Sequence, residues 1–451
     1  QKIDKYDKTC VLFAPRSDSD RVDVEILEDG NVLNIKSDSE WEEIIGLRKR
    51  ILTYAGIKNS SEIKLSWNPA WQELELISAT VSNLNGKVVC ASTNEIHAMD
   101  AQWVRAAPRY PAEKLMVVNL PAVEVGSVID LRYRKKFRNH LFVSRINSFA
   151  SFLPMSNSSF VVSYPSSMDL KYRLFNGENI AFSCRTNGST TLLDWTSVKS
   201  RKVKQESKLP AWYHFQPTVY LSSGNWKTNA EKIFKAFDER ASKCENAARF
   251  ARELTKNMTD KREMALAVSR EIIRIVRSGG TSFINLPLSA LSTADRTLAD
   301  KYGNSADRAI LLSAMLKSLD IDCEILLASH DDSGCEDAEA ASRLFPQLDY
   351  FFIPLVRAKF GDEFVYLNEG TRFNEPGTSC NDQAYVLSRD GTISNINVAE
   401  GKKDRVEFDY LVELDKDGTA EITFEKRIYG VSVGNFRKQY NEMLPEIKRR
   451  Q

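Results

Sequence analysis

The sequence has few of the residues that build metal centres and disulfide scaffolds. Its 451 residues include seven cysteines and four histidines. The cysteines form no CxxC pair, which argues against a structural zinc site of the usual kind. No stretch approaches the ~18 consecutive apolar residues that a membrane-spanning helix needs. We therefore expect no metal, no other cofactor and no transmembrane segment.

Neither sign of charge dominates the sequence. Lys and Arg number 62 against 61 Asp and Glu, for a formal net charge of +1. Nucleic-acid binding normally needs a clear basic excess, so nucleic acid is not an expected partner. The composition is 42% hydrophobic and 27% charged, as in ordinary packed proteins. At about 150 residues per domain, the length suggests about three domains.

Neither the first residues of the chain nor its cysteines indicate the cellular compartment. The first residues, QKIDKYDKTC, lack the basic and apolar regions of a signal peptide and an initiator Met. We therefore expect a mature or trimmed form, from which an upstream export signal could have been removed. The odd cysteine count leaves at least one thiol unpaired. Free thiols are the expectation, and a bond between Cys335 and Cys380 is the alternative.

Strand patterns fill the first ~220 residues. Alternating or fully apolar runs occur at 22–30, 74–89, 115–134, 160–165 and 168–178. Asn85-Gly86 and Asn176-Gly177 supply the positive φ of tight hairpin turns. Many short strands at this spacing predict an antiparallel β-sandwich. One helix is predicted within this half, near 38–58.

Helical spacing replaces the alternation after Trp226. Apolar residues recur every three or four positions in 228–256 and 259–278, and Thr259 followed by Asp260 and later Glu263 gives an N-cap signature for the second helix. Further elements are a helix at 304–319 and strands at 321–329, 350–357 and 363–368. Helices that lead into strands predict an α+β domain. Beyond ~404 the pattern predicts a hairpin across a Lys416-Asp417-Gly418 turn.

Three units follow from these patterns. We predict an all-β antiparallel sandwich over 1–225, an α+β domain over 226–395, and the start of a C-terminal β-rich unit over 396–451. The last unit ends before it could close a core of its own. It is therefore either incomplete or packed on its neighbours.

The stretch YGNSADRA at 302–309 is the best candidate for chemistry. Gly303 leads into an apolar helix, which puts residue 305 near the helix N-terminus. Unsatisfied backbone N–H groups and the helix dipole would stabilise a thiolate or an oxyanion there. Residue 305 therefore occupies a position suited to a nucleophile.

At this stretch the chain resembles the transglutaminase-like superfamily. The likeness is to bacterial proteins in which such a papain-like domain follows an uncharacterised all-β domain. The family helix opens with glycine, aspartate, cysteine, a basic residue and aspartate, where this sequence has Gly303, Asn304, Ser305, Ala306 and Asp307. The stretch LMVVNLPAVEVGSVIDLRYR at 115–134 also resembles a strand pair of the accompanying β domain. The resemblance implies an extracytoplasmic protein, in the periplasm or at the cell surface.

The same resemblance implies that all three catalytic positions are altered. Ser305 replaces the nucleophilic Cys, Ile353 falls in the His slot and Asn368 in the Asp slot. Isoleucine cannot accept a proton, and a serine hydroxyl needs a base even more than a thiol does. A rescue by His330 is conceivable, although an exposed loop histidine is the simpler interpretation. Cys323 alternates with apolar residues and is expected in the core.

We therefore predict a non-catalytic protein whose cleft binds a peptide, a protein or a cell-envelope polymer. Tyr302, Ser305, Asp307 and Asn368 would line a polar groove. One alternative is an active hydrolase or acyl transferase that uses Ser305 or a misaligned cysteine. Another is a structural module of a cell-envelope assembly, without a cleft ligand. The sequence leaves enzymatic activity uncertain and the oligomeric state unknown.

A group of aromatic residues follows the β half. They could line a groove between domains, although interdomain packing is the simpler interpretation. Its members are Trp212, Tyr213, Phe215 and Trp226.

Overall fold

The structure is a computed structural model that describes residues 22–200, 203, 209, 215–329, 341, 343–368, 372–374, 376–377, 384–396, 398 and 402–442. Strands of the first half are β1 Val24–Ser37, β2 Glu40–Ile51, β3 Glu62–Trp67, β4 Gln72–Ser82, β5 Val88–Cys90, β6 Ile96–Asp100, β7 Lys114–Asn119, β8 Val128–Phe137, β9 Ser144–Ser148, β10 Met155–Pro165, β11 Lys171–Phe175, β12 Ala181–Asn187, β13 Thr190–Ser200 and β14 Thr218–Ser222. A short helix, α1 Tyr54–Ser60, lies among them.

Helices dominate the chain after β14. They are α2 Trp226–Ala241, α3 Glu245–Thr255, α4 Lys261–Ile275, α5 Ala294–Asp300, α6 Ser305–Lys317 and α7 Ser432–Glu442. Strands of this half are β15 Arg277–Ser278, β16 Tyr302–Gly303, β17 Cys323–Ser329, β18 Phe351–Phe360, β19 Glu363–Leu367, β20 Tyr385–Leu387, β21 Ile393–Asn395, β22 Arg405–Leu414 and β23 Ala420–Tyr429.

The first half is built on one long sheet with two small sheets beside it. The long sheet has the order β12-β13-β10-β1-β2-β8-β4-β5, and the small sheets have the orders β11-β14-β9 and β3-β7-β6. Phe160 and Trp195 of the long sheet share a core with Val219 of β14. Val81 and Ile129 of the long sheet share another with Val118 of β7. Each small sheet therefore packs on the long one.

Two local predictions for this half are wrong. Residues 40–51 of the predicted helix form the inner strand β2, which pairs with β1 on one side and β8 on the other. Its β-branched Ile44 and Ile45 suit a strand, and pairing on both sides overrides the weak helical spacing. The long sheet is also not purely antiparallel, because β1 pairs in parallel with β10.

The two predicted turns have different outcomes. Gly86, at φ 76°, turns β4 into β5, as a hairpin requires. Asn176 also has positive φ, at 53°, but its strand β11 pairs with β14 and not with the following β12. The second turn therefore joins strands of two different sheets.

The helix α6 is the centre of the second half. Its residues from Ala306 to Leu316 are all buried, among helices α2 to α5 and strands β17 and β18. Its apolar residues occur on every side of the helix, so packing partners on all sides are needed to bury them. Asp260 caps α4 by accepting from the backbone N–H groups of Arg262 and Glu263, as the sequence predicts. The sheet beside α6 has the order β19-β18-β17-β20-β21.

The structure confirms a multidomain, strand-rich chain with several sheets, and the sandwich stays a prediction. Strands β22 and β23 form the predicted C-terminal hairpin, with Gly418 at φ 87° in its turn. In the described part of the chain, no helix has the length and apolar character to cross a membrane. Within those same residues, no group of three or more His, Cys, Asp and Glu side chains is placed to hold a metal ion.

Candidate functional site

The N-terminus of α6 begins with an N-cap at Asn304. The Asn304 side chain accepts a hydrogen bond of 3.0 Å from the backbone N–H of Asp307. The backbone N–H of Asn304 donates to the hydroxyl of Tyr110 over 2.7 Å. Because an Asn side chain and a tyrosine hydroxyl already accept these N–H groups, neither is available to an oxyanion.

Asp307 is fully buried, and its carboxylate accepts three hydrogen bonds from the protein. Oδ2 accepts from the Tyr110 hydroxyl at 2.5 Å and from the Arg109 guanidinium at 3.0 Å. Oδ1 accepts from the backbone N–H of Ser292 at 2.8 Å. Burial, and then the nearby carboxylate, raise the pKa of Tyr110 above its usual value, so the phenol stays protonated as the donor. Asp307 therefore does not line an open groove, contrary to the prediction.

Arg109 extends this network to the residues just before the helix. Its guanidinium donates to Asp300 at 2.7 Å and to the Tyr302 carbonyl at 3.1 Å. It lies 4.6 Å from the centre of the Tyr302 ring, a cation–π distance. The Tyr302 hydroxyl accepts from the Arg109 backbone N–H at 2.9 Å. Tyr302 thus binds the β half of the same chain.

Asn368 lies beside Ser305, as the predicted slots require, but it contacts backbone. Its amide nitrogen donates to the Ser305 carbonyl at 3.0 Å and to the Pro354 carbonyl at 2.7 Å. Asn368 adopts φ 116°, a conformation rare outside glycine. The side chain thus joins the start of α6 to β18. The bonds shown are those of a structural clamp and involve no histidine.

Ile353 does not face the helix, contrary to the slot that the resemblance gave it. In the β17–β18 register it is opposite Ala328. Both residues pack with Leu326 and Leu355 in a separate core on the far side of the sheet. Side chains alternate along a strand, so Pro354 occupies the α6 side at this level. An alignment by apolar pattern cannot separate these two faces because both are buried.

The described nucleophiles and bases do not assemble a triad. Cys323 lies near Ser313, and burial raises the pKa of its thiol. His97 is exposed on β6, and neither ring nitrogen of His140 has a hydrogen-bond partner among the described residues. The candidate base His330, the possible disulfide of Cys335 and Cys380, and Trp212 and Tyr213 of the aromatic group lie outside the described residues.

An apolar cavity of about 740 Å³ opens between the β half and the helical half. Tyr110 forms part of its wall, so the cavity adjoins the network at the start of α6. Aromatic side chains from both halves surround it, namely Trp71, Tyr110, Phe142, Trp226, Phe283 and Phe351. Trp226 therefore both lines this cavity and packs between residues of the two halves. Its ring packs edge-on against Phe351 at 4.9 Å and Phe142 at 6.4 Å.

A smaller, polar cavity of about 370 Å³ shares Trp71, His140 and Phe142 with the apolar one. Glu43, Lys135 and Arg145 contribute to its lining. The His140 ring stacks on Trp71 at 4.2 Å and lies 4.7 Å from the Trp41 ring. Burial lowers the pKa of His140 to about 4, so the imidazole is neutral near pH 7.

No pattern in the sequence points to Arg109 and Tyr110, the two residues that complete the site. They lie in a loop between β6 and β7, about 200 residues before α6, with no recognisable motif. Tyr110, Ala107 and Leu286 form a small core that joins the two halves. A buried aspartate at a helix start implies a basic or hydroxyl partner, but nothing in the sequence says where that partner lies.

Comparisons with known proteins give a family match within the first half of the chain and a solved structure of similar fold. Residues 37–203 match DUF3857, a domain of unknown function with a solved structure. A protein from Parabacteroides distasonis ATCC 8503, named as a candidate protease, has a similar structure with a TM-score of 0.69. The two are 19% identical, and the match covers 84% of this chain and 72% of the other. A search of curated proteins found no significant match.

Two other solved structures are much less similar. A candidate cysteine protease from Cytophaga hutchinsonii has a TM-score of 0.21 at 9% identity, covering 86% of this chain and 91% of the other. An M1 zinc metallopeptidase from Deinococcus radiodurans has a TM-score of 0.25 at 9% identity, covering 45% and 42%. These two values are too low to support an argument. The chain therefore shares the fold of the Parabacteroides protein, and its first half carries a DUF3857 match.

Proposed function

We propose that this chain is a non-catalytic, transglutaminase-like protein that binds an apolar peptide segment in its interdomain cavity. In this proposal a β-sandwich over 1–225 precedes the papain-like domain over 226–395 and a C-terminal β unit over 396–451. The extracytoplasmic location implied by the resemblance belongs to the same proposal.

The bonding at the start of α6 carries the proposal. A catalytic Cys-His-Asp site needs a base beside its nucleophile and a carboxylate beside that base. Here the Asn368 amide donates to two backbone carbonyls, and the Asp307 carboxylate accepts from Tyr110, Arg109 and Ser292. These hydrogen bonds support a structural role for the N-terminus of α6, which they connect to the rest of the protein.

The cavity supports the binding role. Ligand sites are typically apolar clefts of 300–1,000 Å³, often at domain interfaces. The interdomain cavity, at about 740 Å³, is within that range and is rich in aromatic walls. Such aromatic walls favour contact with the apolar side chains of a peptide. A purely polar polymer would leave its hydroxyls without hydrogen-bond partners there. An apolar peptide is therefore favoured over a polysaccharide.

A calorimetric titration tests the binding role. We expect a blocked leucine- and phenylalanine-containing tripeptide to bind and a blocked serine- and glutamine-containing one not to bind. Ile284→Trp puts a larger ring into the cavity wall and should reduce the affinity at least about tenfold. Leu254→Trp, on the exposed side of α3, is the matched control and should bind as the unaltered protein does. If both variants bound the peptide with equal affinity, the peptide would bind outside this cavity.

Covalent probes test the non-catalytic half of the proposal separately. We expect no specific labelling of Ser305 by a fluorophosphonate and no turnover of peptide or ester substrates. Specific labelling of Ser305, or of a cysteine, together with hydrolysis would establish an enzyme instead. Absence of both labelling and peptide binding would favour a structural module.

A further inference from the structure

The polar cavity lies against the inner face of the long sheet. The register places Glu43 of β2 directly opposite Lys135 of β8 on this face. Trp41 and Leu131 point to the same side of these two strands, where each belongs to a core shared with one of the small sheets. Charged side chains are rare on a face that otherwise packs apolar cores, so their presence here is informative.

Three charged side chains line the polar cavity, namely Glu43, Lys135 and Arg145. The Arg145 guanidinium lies 3.7 Å from the Glu43 carboxylate, which is an ion pair too long for a hydrogen bond. The Lys135 ammonium forms neither an ion pair nor a hydrogen bond with any residue that the structure describes. Burial lowers the pKa of Lys135, as expected for a cation held away from water without a close partner.

The other nearby carboxylate does not serve Lys135. Asp29 lies two residues before Asn31 on β1 and does not line the cavity. Its carboxylate accepts from the Asn31 amide at 3.2 Å and lies near Arg145. Asp29 and Glu43 therefore offset the charge of Arg145, whereas Lys135 has donors and no acceptor in the described part of the chain. Such a half-buried ammonium is costly unless water or a ligand supplies the acceptor.

The polar and apolar cavities are adjacent. Five residues belong to the walls of both, namely Trp71, His140, Phe142, Ile284 and Leu348. We propose that the ligand is an apolar peptide that carries a carboxylate near one end, and that Lys135 and Arg145 bind this carboxylate in the polar cavity. The inference rests on the proposed function, because apolar side chains of the same peptide occupy the interdomain cavity.

A carboxylate suits these cations better than the other polar groups of a peptide do. Lysine and arginine can only donate, and their hydrogen bonds to a carboxylate are stronger than those to a neutral amide. The cavity lining carries two cations and one carboxylate, so a single negative charge on the peptide balances it. A free amino group would find only Glu43 as a partner and would meet both cations.

Calorimetric titration of the full chain with four forms of one peptide tests the inference. The leucine- and phenylalanine-containing tripeptide is used with both ends blocked, with only the carboxyl end free, and with only the amino end free. The fourth form is blocked at both ends and carries an added glutamate. We expect the free acid to bind at least about tenfold more tightly than the fully blocked peptide. The same gain for the glutamate form alone would assign the carboxylate to a side chain instead of the C-terminus.

Substitutions in the cavity wall test the residues. Lys135→Met should remove most of the preference for the free acid, and Glu43→Gln should increase it by removing the competing carboxylate. Lys136→Met is the matched control, because Lys136 is the next residue, lies on the opposite face and pairs with Glu73 at 3.4 Å. It should retain the preference. Unchanged thermal unfolding verifies folding, and Glu43→Gln, which keeps the side-chain shape, tests the site even if Lys135→Met does not fold.

The outcomes separate this inference from the proposed function. Equal affinities for the blocked, free-acid and glutamate forms would overturn the carboxylate site and leave the apolar peptide role intact. Tightest binding of the free-amine form would assign the polar cavity to an ammonium and would also overturn it. Equal effects of Lys135→Met and Lys136→Met would place the carboxylate elsewhere and overturn the assignment to Lys135. If no form of the peptide binds, this inference and the proposed function both fail.

Discussion

Asp307 is a buried residue whose carboxylate accepts three hydrogen bonds, two of them from Arg109 and Tyr110 in the other half of the chain. A buried carboxylate requires partners of this kind. Its role is therefore to attach one half of the molecule to the other.

Tyr110→Phe tests this role at the residue scale. The substitution keeps the ring and removes the hydroxyl, which leaves Asp307 with one donor fewer and the Asn304 N–H without its acceptor. We expect a loss of about 1–3 kcal/mol in unfolding free energy, measured by urea denaturation. Tyr54→Phe is the control, since Tyr54 is 77% exposed. Equal midpoints for the two variants would refute the role.

His140 predicts a pH dependence of stability. Its pKa is lowered from 6.5 to about 4 in the folded protein. Between these values the unfolded chain binds more protons, so stability is present above pH 6.5 and declines as the pH falls toward 4. The loss should reach about 2–3 kcal/mol. His140→Phe should remove this component from the stability curve, whereas His97→Gln, at an exposed position, should retain it. An unaltered curve for His140→Phe would contradict the assignment.

At the scale of elements, the sequence predicted best where a single pattern acts alone. The buried helix α6, the Asp260 cap and the β22–β23 hairpin are confirmed because local chemistry decides them. The strand β2 was missed because its conformation depends on pairing with β1 and β8, which are close in space but are not identified by local spacing.

The candidate site was predictable in part for the same reason. Proximity of Ser305 and Asn368 follows from the helix–strand order that the resemblance supplied, and the two residues do meet. The sequence does not show which face of β18 carries Ile353, because residues 351–356 of this strand are apolar on both faces and show no alternation. Arg109 and Tyr110 could not be found at all, since their contact with α6 depends on how two separate folding units pack.

Asn368→Asp tests the clamp between α6 and β18. The substitution restores the acidic residue of the family slot with nearly the same shape, but a carboxylate cannot donate to the Ser305 and Pro354 carbonyls. We expect a stability loss of about 1–3 kcal/mol and no gain of hydrolase activity. Asn395→Asp, at an exposed strand position, controls for the added charge. A gain of activity, or stability equal to that control, would contradict the clamp.

At the scale of the whole molecule, the loop before β7 joins the two halves through Tyr110 and a neighbouring glycine. Gly280 adopts φ 88°, and a Cβ there would overlap the Tyr110 ring. Glycine is therefore required at 280 both for its backbone and for the close approach of the β half.

Gly280→Ala should loosen the joint between the halves. We expect a stability loss about 1–3 kcal/mol greater than that of Gly188→Ala, from the clash with Tyr110. Gly188 has φ 60° with open space around it, so its substitution reports backbone strain alone. Calorimetry should show two separated unfolding transitions for Gly280→Ala and closer ones for Gly188→Ala. Identical unfolding transitions for the two variants would show that the contact between Gly280 and Tyr110 does not couple the unfolding of the two halves.

The dependence of Asp307 on Arg109 and Tyr110 also bears on how the chain is made. Ribosomes release the N-terminal residues first, and domains generally fold in that order. The β half can thus fold before α6 is synthesised. Its Arg109 and Tyr110 are then available to bind Asp307 when the N-terminus of α6 forms. A fragment without the β half would bury an aspartate that lacks two of its donors. The later half of this protein is therefore expected to need the earlier half present in order to mature.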